Sequence, residues 1–368
     1  MHNMAKINSS PARTSIKKFL YRVQEQLLPL LAVPVALVIG AGMLLALHAD
    51  PLQAYGYMLQ GAFGSVSGIT QTLVKATPLL LVGLGVVIAF RGGVINIGGE
   101  GQILMGALAT TALAVSVPHW PGIILLPLCL LVGAAAGALW GGIPGVLKAR
   151  LGVNEILSTV MMNAIAALVV DYFLTGPLLD PQEIANGTRI AQSALLPNST
   201  WLLRLVPQTL LSSGALIALA LAFVVYIFLW RTTIGYRIRA VGLNPIAARY
   251  AGIPVRVYQA LSLVLGGTFA GLAGSIEVLG VQHRMMEGLS SGYGFTGIVA
   301  ALFGSLHPLG LIPAAILFGG MLVGGNQMQR SMQVPNSLID TLSGLIVLLV
   351  VASKIWATRQ ARRREINE

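Results

Sequence analysis

The sequence is short of charged residues, cysteine and paired histidines. Charged side chains make up only 10% of the 368 residues, whereas soluble domains carry roughly 25%, so a soluble fold of this size would lack polar residues for its surface. The single cysteine, Cys129, excludes a disulfide framework and a zinc cluster of thiolates. The five histidines stand singly, without metal-ligand spacing. These shortages argue against a soluble protein and predict no metal site.

Motifs of nucleotide chemistry and catalysis are also missing. The chain has no G-x-x-x-x-G-K-[ST] phosphate loop, so an ATP-driven machine would need its ATPase on another chain. Residues 292–297, GYGFTG, match G-x-G-x-x-G, but a dinucleotide site requires a preceding strand and these neighbours are apolar helices. The sequence contains neither a pair of carboxylates nor a Ser/His/Asp arrangement that would indicate a hydrolase. We therefore expect no cofactor on this chain and no enzymatic activity.

Long apolar runs dominate what remains. Hydrophobic residues form 55% of the chain, and a membrane-spanning helix needs about 20 in succession. The predicted fold is an all-α multi-pass membrane protein with about ten transmembrane helices. Their approximate bounds are 28–48, 70–90, 97–117, 120–146, 155–176, 207–230, 257–281, 291–308, 310–326 and 337–353.

The basic residues predict how these helices are oriented. The net charge is +11, which in a membrane protein indicates positive cytoplasmic loops. With both termini in the cytoplasm, only five of the 23 lysines and arginines fall outside or near the outer end of a span, leaving 18 inside. Ten spans then allow two sets of five with opposite topology, as in many transporters. We expect a multi-pass membrane protein with this arrangement.

The same pattern predicts the organisation of the chain. Residues 1–27 form a basic cytoplasmic segment, residues 28–355 a single membrane domain, and residues 356–368 a basic cytoplasmic tail. Two loops are long. We expect 177–206 to form a short outer cap, and 231–256 to lie in the cytoplasm.

The cytoplasmic loop encodes one short helix. Asn244 is a good N-cap, Pro245 suits the first helical position, and Gly252 is a plausible C-cap. Ile246 and Tyr250 share a face by their i, i+4 spacing. An exposed pair of this kind needs something to pack against. The alternatives are a partner protein, the membrane surface or the protein's own loops.

A glycine-rich stretch, FRGGVINIGGEGQ at residues 90–102, joins two predicted spans. Its glycines allow a tight turn and close helix approach. We expect Arg91 to hold the turn and offset Glu100, and Asn96 to satisfy backbone groups where the helix restarts. The stretch could act as a hinge near the inner gate, contact the transported solute, or contact an ATPase.

Polar residues inside the spans are candidates for a solute path. Such side chains usually face a bundle interior or an aqueous pathway. Asn163 and Glu277 lie deepest, and Tyr293 and Phe295 supply aromatic rings that could pack on a base. A proton-coupled carrier could use the same carboxylates as a relay.

Three segments together resemble one family. FRGGVINIGGEGQ, GYRIRAVGLNPIAARYAGIPV and GYGFTGIVAALFGSLHPLG are similar to segments of permease subunits of bacterial ABC importers, in the branched-chain amino acid, ribose and nucleoside permease superfamily. The first segment resembles the motif of the nucleoside and simple-sugar branch, and the second the family's ATPase-coupling segment. The resemblance covers residues 30 to 355, nearly the whole chain.

The resemblance implies partners and site residues. It implies a separate ABC ATPase with two fused nucleotide-binding halves that binds ATP and magnesium, a second permease subunit forming a heterodimer, and an extracytoplasmic substrate-binding lipoprotein. The coupling motif, with the exposed helix pair added, comprises Arg239, Gly242, Asn244, Pro245, Ile246, Ala247, Ala248, Tyr250 and Gly252. The branch motif, interpreted as a gate or hinge, comprises Arg91, Asn96, Gly98, Glu100, Gly101 and Gln102.

Three functions follow from these observations. The first is the permease subunit of an ATP-driven nucleoside importer, and the second is the same role for a simple sugar such as ribose or galactose. The third is a proton-coupled secondary carrier or a membrane enzyme. A carrier would have no need of the capped cytoplasmic helix, and an enzyme would need a catalytic constellation that the sequence lacks.

Overall fold

A computed structural model describes residues 34–335 and residues 337, 338, 341, 344, 345, 348, 349 and 352. The predicted terminal segments 1–27 and 356–368 lie outside the described residues, as do part of the span 28–48 and much of the span 337–353. The chain divides into two compact units. One comprises residues 1–54 with 332–368, and the other comprises Tyr55–Ser331.

Helices make up most of the described chain. They are α1 (Pro34–Ala46), α2 (Pro51–Phe63), α3 (Val66–Arg91), α4 (Gly99–Ser116), α5 (Gly122–Val146), α6 (Glu155–Thr175), α7 (Pro181–Asn186), α8 (Gly214–Arg231), α9 (Thr233–Leu243), α10 (Pro245–Tyr250), α11 (Val255–Glu277), α12 (Tyr293–Phe303) and α13 (Pro308–Met332). π-helical turns extend α5 to Leu151 and α11 to Gln282. Only three isolated β-bridges accompany them in the described part.

Six helical segments of the described chain are long and apolar enough to cross a membrane. They are α3, α5 with its π turn, α6, α8, α11 with its π turn, and α13; α1 and α2 add a seventh if they form one broken span. The prediction of an all-α membrane protein is confirmed for this part of the chain. The number of about ten spans and their orientation stay predictions.

The eighth predicted span, 291–308, is shorter than expected. Its helix, α12, has 11 residues, which corresponds to about 16 Å at 1.5 Å per residue. A bilayer core is about 30 Å thick, so α12 does not cross it alone. The helix ends at Phe303, and the backbone turns at Ser305 and Leu306, which both have positive φ.

The core of the larger unit forms around α3 and α11. Of the most apolar 18-residue window of α3, 83% is buried. Helix α11 packs closely on α5 through small residues: a Cβ on Gly271 would lie 2.4 Å from the carbonyl oxygen of Gly133, and one on Gly267 would lie 2.1 Å from that of Gly137. Such contacts are the usual way in which membrane helices approach each other. Larger side chains at these positions would force the helices apart.

The predicted cap, residues 177–206, is a folded segment containing α7. Asp180 accepts a hydrogen bond from the backbone N–H of Gln182 and starts the helix. The ring of Trp201 stacks on His283 with centroids 3.8 Å apart. The backbone N–H of Leu196 also donates to the carbonyl oxygen of His283 at 2.9 Å. The cap is thus fixed on the turn that follows α11.

Candidate functional site

The short helix predicted between two spans is present as α10. The side-chain oxygen of Asn244 accepts hydrogen bonds from the backbone N–H groups of Ile246 and Ala247, both at 3.0 Å. The helix ends before Gly252, whose φ of 77° is the left-handed conformation that glycine favours. Helix α10 has six residues and lies between the predicted N-cap, Asn244, and the predicted stop, Gly252. The local capping pattern was therefore sufficient to locate it.

One face of α10 is exposed and the opposite face is held by the protein. Ile246 is 69% exposed and Tyr250 is 90% exposed, while Ala248 is only 4% exposed. Leu243, at the end of α9, is 84% exposed beside them. Three large apolar side chains thus project from one short segment. No described residue covers them.

Helix α9 contacts the glycine turn, residues 90–102, directly. A Cβ on Gly242 would lie 2.1 Å from the carbonyl oxygen of Arg91 and 2.8 Å from the backbone nitrogen of Gly93. Gly93 has a φ of 72°, so it too occupies a conformation that other residues rarely adopt. The two motifs that the sequence singled out separately therefore form one contact. Helix α9 and the end of α3 thus touch backbone to backbone.

Trp230 also links α9 to the glycine turn, because its ring lies against an arginine from each. The Arg91 guanidinium carbon lies 5.5 Å from the Trp230 ring centroid, and that of Arg239 lies 5.3 Å from it. Arg239 also donates a hydrogen bond to the carbonyl oxygen of Leu229 at 2.9 Å. Cations at this distance from an aromatic face are attracted by its quadrupole. One indole thus bridges an arginine of the glycine turn and an arginine of α9.

His307 completes the aromatic side of this cluster. Its ring centroid lies 4.9 Å from that of Trp230. Burial, together with the positive charge of Arg91, lowers the pKa of His307 below its usual value. The imidazole is therefore neutral at physiological pH. It adds no further positive charge to the two guanidinium groups.

Arg91 does not offset Glu100, contrary to our expectation. Its guanidinium donates to the carbonyl oxygens of Leu306 at 3.0 Å and Ser305 at 3.4 Å, where the turn before α13 presents them. Glu100 is 8% exposed and accepts a hydrogen bond from the backbone N–H of Gly294 at 2.8 Å. The two ends of the glycine turn are thus tied to different elements. Among the described residues, the ion pair of Lys148 with Glu155, at 2.7 Å, is the one present.

The start of helix α4 is held by a pair of side-chain amides. Asn96 donates to Gln102 at 3.1 Å and accepts from it at 3.2 Å, and its oxygen also accepts from the N–H of Gly98 at 2.9 Å. Asn163, on α6, accepts from the N–H of Gly101 at 2.9 Å and donates to the carbonyl oxygen of Ile97 at 2.9 Å. The proposed backbone role of Asn96 is therefore present. Asn163 has the same role, since both ends of its amide bind backbone.

Two of the three remaining path candidates, Glu277 and Tyr293, lie in a buried region with a lysine. Lys75 on α3 donates a hydrogen bond to the phenol oxygen of Tyr293 at 2.5 Å. Tyr293 and Glu277 are each only 2% exposed, whereas Phe295 is 51% exposed. Glu277 borders a cavity of about 10 Å³, which is roughly the space of one water molecule. Tyr293 and Glu277 belong to one buried polar region with Lys75, and Phe295 lies apart from it.

Sequence reasoning missed two residues that organise these clusters. Trp230 was not singled out, although an aromatic residue next to Arg231 at a span end is typical of a membrane interface. Lys75 was not among the path candidates either. A cation in an apolar helix is itself a functional signal, because it requires a polar partner. That partner, Tyr293, is distant in sequence.

Nothing in the described residues indicates a metal centre. No group of three or more histidine, cysteine, aspartate or glutamate side chains is placed to hold an ion there. The clusters contain amides, hydroxyls, guanidinium groups and backbone, together with single carboxylates at Glu100 and Glu277, the ammonium group of Lys75 and the imidazole of His307. Such groups can bind polar solutes and hold helices together.

Comparison with known proteins identifies relatives along nearly the whole chain. The guanosine ABC transporter permease protein NupP of Bacillus subtilis is 37% identical over 333 residues, covering 90% of this chain and 94% of that protein. The glucose ABC transporter permease protein TsgB13 of Haloferax volcanii is 36% identical, covering 89% and 87%. The nucleoside ABC transporter permease protein NupB of Lactococcus lactis is 31% identical, covering 91% and 93%.

No solved structure matches the chain. The family assignment therefore rests on sequence, and on the greater part of it. Residues 68–351 match the family described as branched-chain amino acid transport system / permease component. This range includes the glycine turn, α9, α10 and the Lys75–Tyr293 pair. The chain belongs to the branched-chain amino acid transport system permease family, as the three sequence segments indicated.

Proposed function

We propose that this chain is the permease subunit of an ATP-driven importer of nucleosides. The observation that carries the mechanism is the direct contact of α9 with the glycine turn, next to a capped helix with exposed apolar side chains. The substrate assignment is supported by relatives named for guanosine and for nucleosides. The chain forms half of the translocation pathway and carries no catalytic residue.

The proposed assembly places each segment relative to the membrane. About ten spans, with both termini in the cytoplasm of a bacterial cell, put the coupling segment, residues 231–256, on the inner side. A separate ATPase with two fused nucleotide-binding halves binds ATP and docks there. A second, homologous permease completes the pathway, and an extracytoplasmic lipoprotein delivers the solute. The single permease domain is residues 28–355, and this chain itself binds no cofactor.

The geometry suggests how ATP binding reaches the pathway. The ATPase contacts Ile246 and Tyr250, whose exposure leaves them available to a partner. Displacement of α10 moves α9, and Gly242 transfers that movement to the carbonyl group of Arg91 without an intervening side chain. Helix α3 then moves as a unit. The ATPase can drive this change only if it binds one permease conformation better than the other.

A simple sugar is the second candidate substrate. The glucose permease protein of Haloferax volcanii is nearly as similar to this chain as the guanosine permease protein is, at 36% and 37% identity. The contact between α9 and the glycine turn does not depend on which solute is carried. The two candidates differ only in the pathway.

Uptake measurements test the proposed function. Cells with and without this chain would be given labelled guanosine, with ribose or glucose as competitors in parallel. Uptake that depends on the chain and ignores both sugars supports the nucleoside proposal. If sugar uptake depends on the chain and guanosine uptake does not, the nucleoside assignment is wrong and the sugar assignment is supported. Uptake abolished by a protonophore at unchanged ATP would instead favour a secondary carrier.

Capture of the ATPase tests the docking face separately. Tyr250→Ala should reduce co-purification of the ATPase with the permease, because large aromatic side chains often dominate such interfaces. Tyr172→Ala is the matched control, since Tyr172 is also a helical, exposed tyrosine, at 67%. Equal ATPase capture by both variants would contradict the assignment of α10.

A further inference from the structure

A polar cavity opens at the end of α3 opposite the glycine turn. It has a volume of about 410 Å³ and lies between α2, α3 and α13, within the larger unit. The side chains that give it its chemistry are Tyr57, Gln60, Ser67, Gln71, Asn326 and Arg330. Its size falls within the range of roughly 300 to 1,000 Å³ found for small-molecule sites.

The lining suits an uncharged solute with many hydrogen-bonding groups. In the described part of the chain, the amides of Gln60, Gln71 and Asn326 make no hydrogen bond to protein, so their donors and acceptors face the cavity or solvent. The lining includes no carboxylate, and its one charge is that of Arg330. Amides can pair with the edge of a base through a donor and an acceptor together, and they can bind sugar hydroxyls equally well. A cation would find no counter-charge there.

The helices that form the walls of the cavity are closely packed on one another. A Cβ on Gly61 would lie 2.4 Å from the Cβ of Gln327, and one on Gly68 would lie 2.4 Å from the carbonyl oxygen of Gly61. The hydroxyl of Thr72 donates to the carbonyl oxygen of Ala62 at 3.0 Å. Helix α2 is therefore held against both α3 and α13. The cavity is preformed.

A polar stripe continues from the cavity into the protein. Ser67, Gln71 and Lys75 are spaced by four residues and so share one face of α3. Ser67 and Gln71 line the cavity, and Lys75, one turn further, binds the phenol of Tyr293. This alignment gives a solute successive polar contacts along one face of α3.

We propose that this cavity, named the amide cavity, is the entry subsite for the solute, and that Lys75 with Tyr293 marks its inner end. The solute is a neutral molecule rich in donors and acceptors, either a nucleoside or a monosaccharide. The inference rests on the proposed function, and it adds a location and a chemistry to the pathway. It replaces Asn163 and Phe295 as pathway candidates.

Filling the cavity is the first test. Ser67→Trp places an indole in the amide cavity, while Ile69→Trp changes the same helix two residues later at a side chain that is 44% exposed and outside the lining. We expect the first variant to lose most of its uptake, because the indole occupies the space that the solute needs, and the second to retain it. Equal uptake by the two variants, at equal amounts in the membrane with the ATPase bound, would overturn the proposal.

Thiol labelling is the second test, and it separates the two solutes. The native Cys129 is fully buried, so a charged methanethiosulfonate reagent would report on introduced cysteines. In Gln71→Cys and Asn326→Cys variants of the assembled transporter, labelling should stop uptake, and the transported solute should slow labelling. Protection by guanosine alone indicates a nucleoside, and protection by glucose alone indicates a sugar.

The outcomes distinguish failure of the site from failure of the function. If the unmodified complex imports guanosine but neither solute protects either cysteine, the amide cavity is not the entry subsite and the proposed function stands. If the unmodified complex imports neither solute, the proposed function falls and the inference falls with it. Uptake that survives labelling of both cysteines also refutes the inference.

Discussion

Replacing Asn244 with alanine isolates what the cap of α10 contributes. The side-chain oxygen accepts both N-terminal hydrogen bonds of a six-residue helix, and helices this short are marginal without support. Loss of an N-cap costs about 1 kcal/mol. That corresponds to roughly a fivefold loss in the ratio of formed to unformed helix. Because Asn244 is exposed, the rest of the fold should not be affected.

The assay is transport per ATP hydrolysed by the complete transporter in liposomes. If α10 must be formed to transmit force, Asn244→Ala should lower this ratio, and by as much as about fivefold when the free helix is mostly unformed. Asn244→Ser is the matched variant, because serine caps helices about as well as asparagine. It should keep most of the coupling. The melting temperature of both variants in detergent should equal that of the wild type.

Two results would refute the reasoning. If the alanine and serine variants lose coupling equally, the asparagine acts by some means other than capping. If both keep full coupling while being expressed and assembled normally, α10 is not the element that the ATPase moves. A lowered melting temperature in the alanine variant would mean that the cap supports the membrane domain itself.

Three further predictions concern packing, hydrogen bonding and pH. Gly242→Ala should destabilise the protein by about 1–3 kcal/mol, since its methyl group would collide with the carbonyl oxygen of Arg91; thermal scans should show no loss for Gly56→Ala, where no atom lies within 4 Å. Asn163→Ala should cost about 1–3 kcal/mol in denaturant unfolding, because its two backbone partners lose their hydrogen bonds. Burial lowers the pKa of His283, so the unfolded chain binds the proton more readily and stability should fall as the pH drops below about 6.5. The melting temperature of His283→Asn should fall less over that interval, and an equal fall in both proteins would contradict this origin.

Local signals in the sequence were sufficient where structure depends on neighbouring residues. The cap of α10 is set by Asn244 and the three residues after it, and its end by Gly252, so the sequence alone locates the short helix. The amide of Asn96 and the N–H of Gly98 are only two residues apart, so that contact was also foreseeable. The apolar runs correctly predicted the membrane class, because bilayer thickness fixes the length they require.

Contacts between distant elements could not be predicted in the same way. Arg91 binds the carbonyl oxygen of Leu306, 215 residues away, and Lys75 binds Tyr293, 218 residues away. Lysine and arginine in a span demand a polar partner, but the sequence does not say which one the fold brings near. Our pairing of Arg91 with Glu100 followed from their proximity in sequence and was wrong. The end of α12 was missed because the prediction continued the span through Gly304 and Ser305 to residue 308.

Helix α3 connects the two ends of the proposed mechanism. Its last residue, Arg91, contacts α9, and its first turns carry Ser67 and Gln71 into the amide cavity. A helix of 26 residues is about 39 Å long, so one element links coupling and entry without a relay of loops. If ATPase docking shifts α3, it changes the affinity of the cavity for solute. Linkage then requires that solute in the cavity change the affinity for the ATPase by the same factor. Guanosine should therefore alter ATPase binding to the wild-type permease, and this effect should vanish in Ser67→Trp, whose coupling end is unchanged.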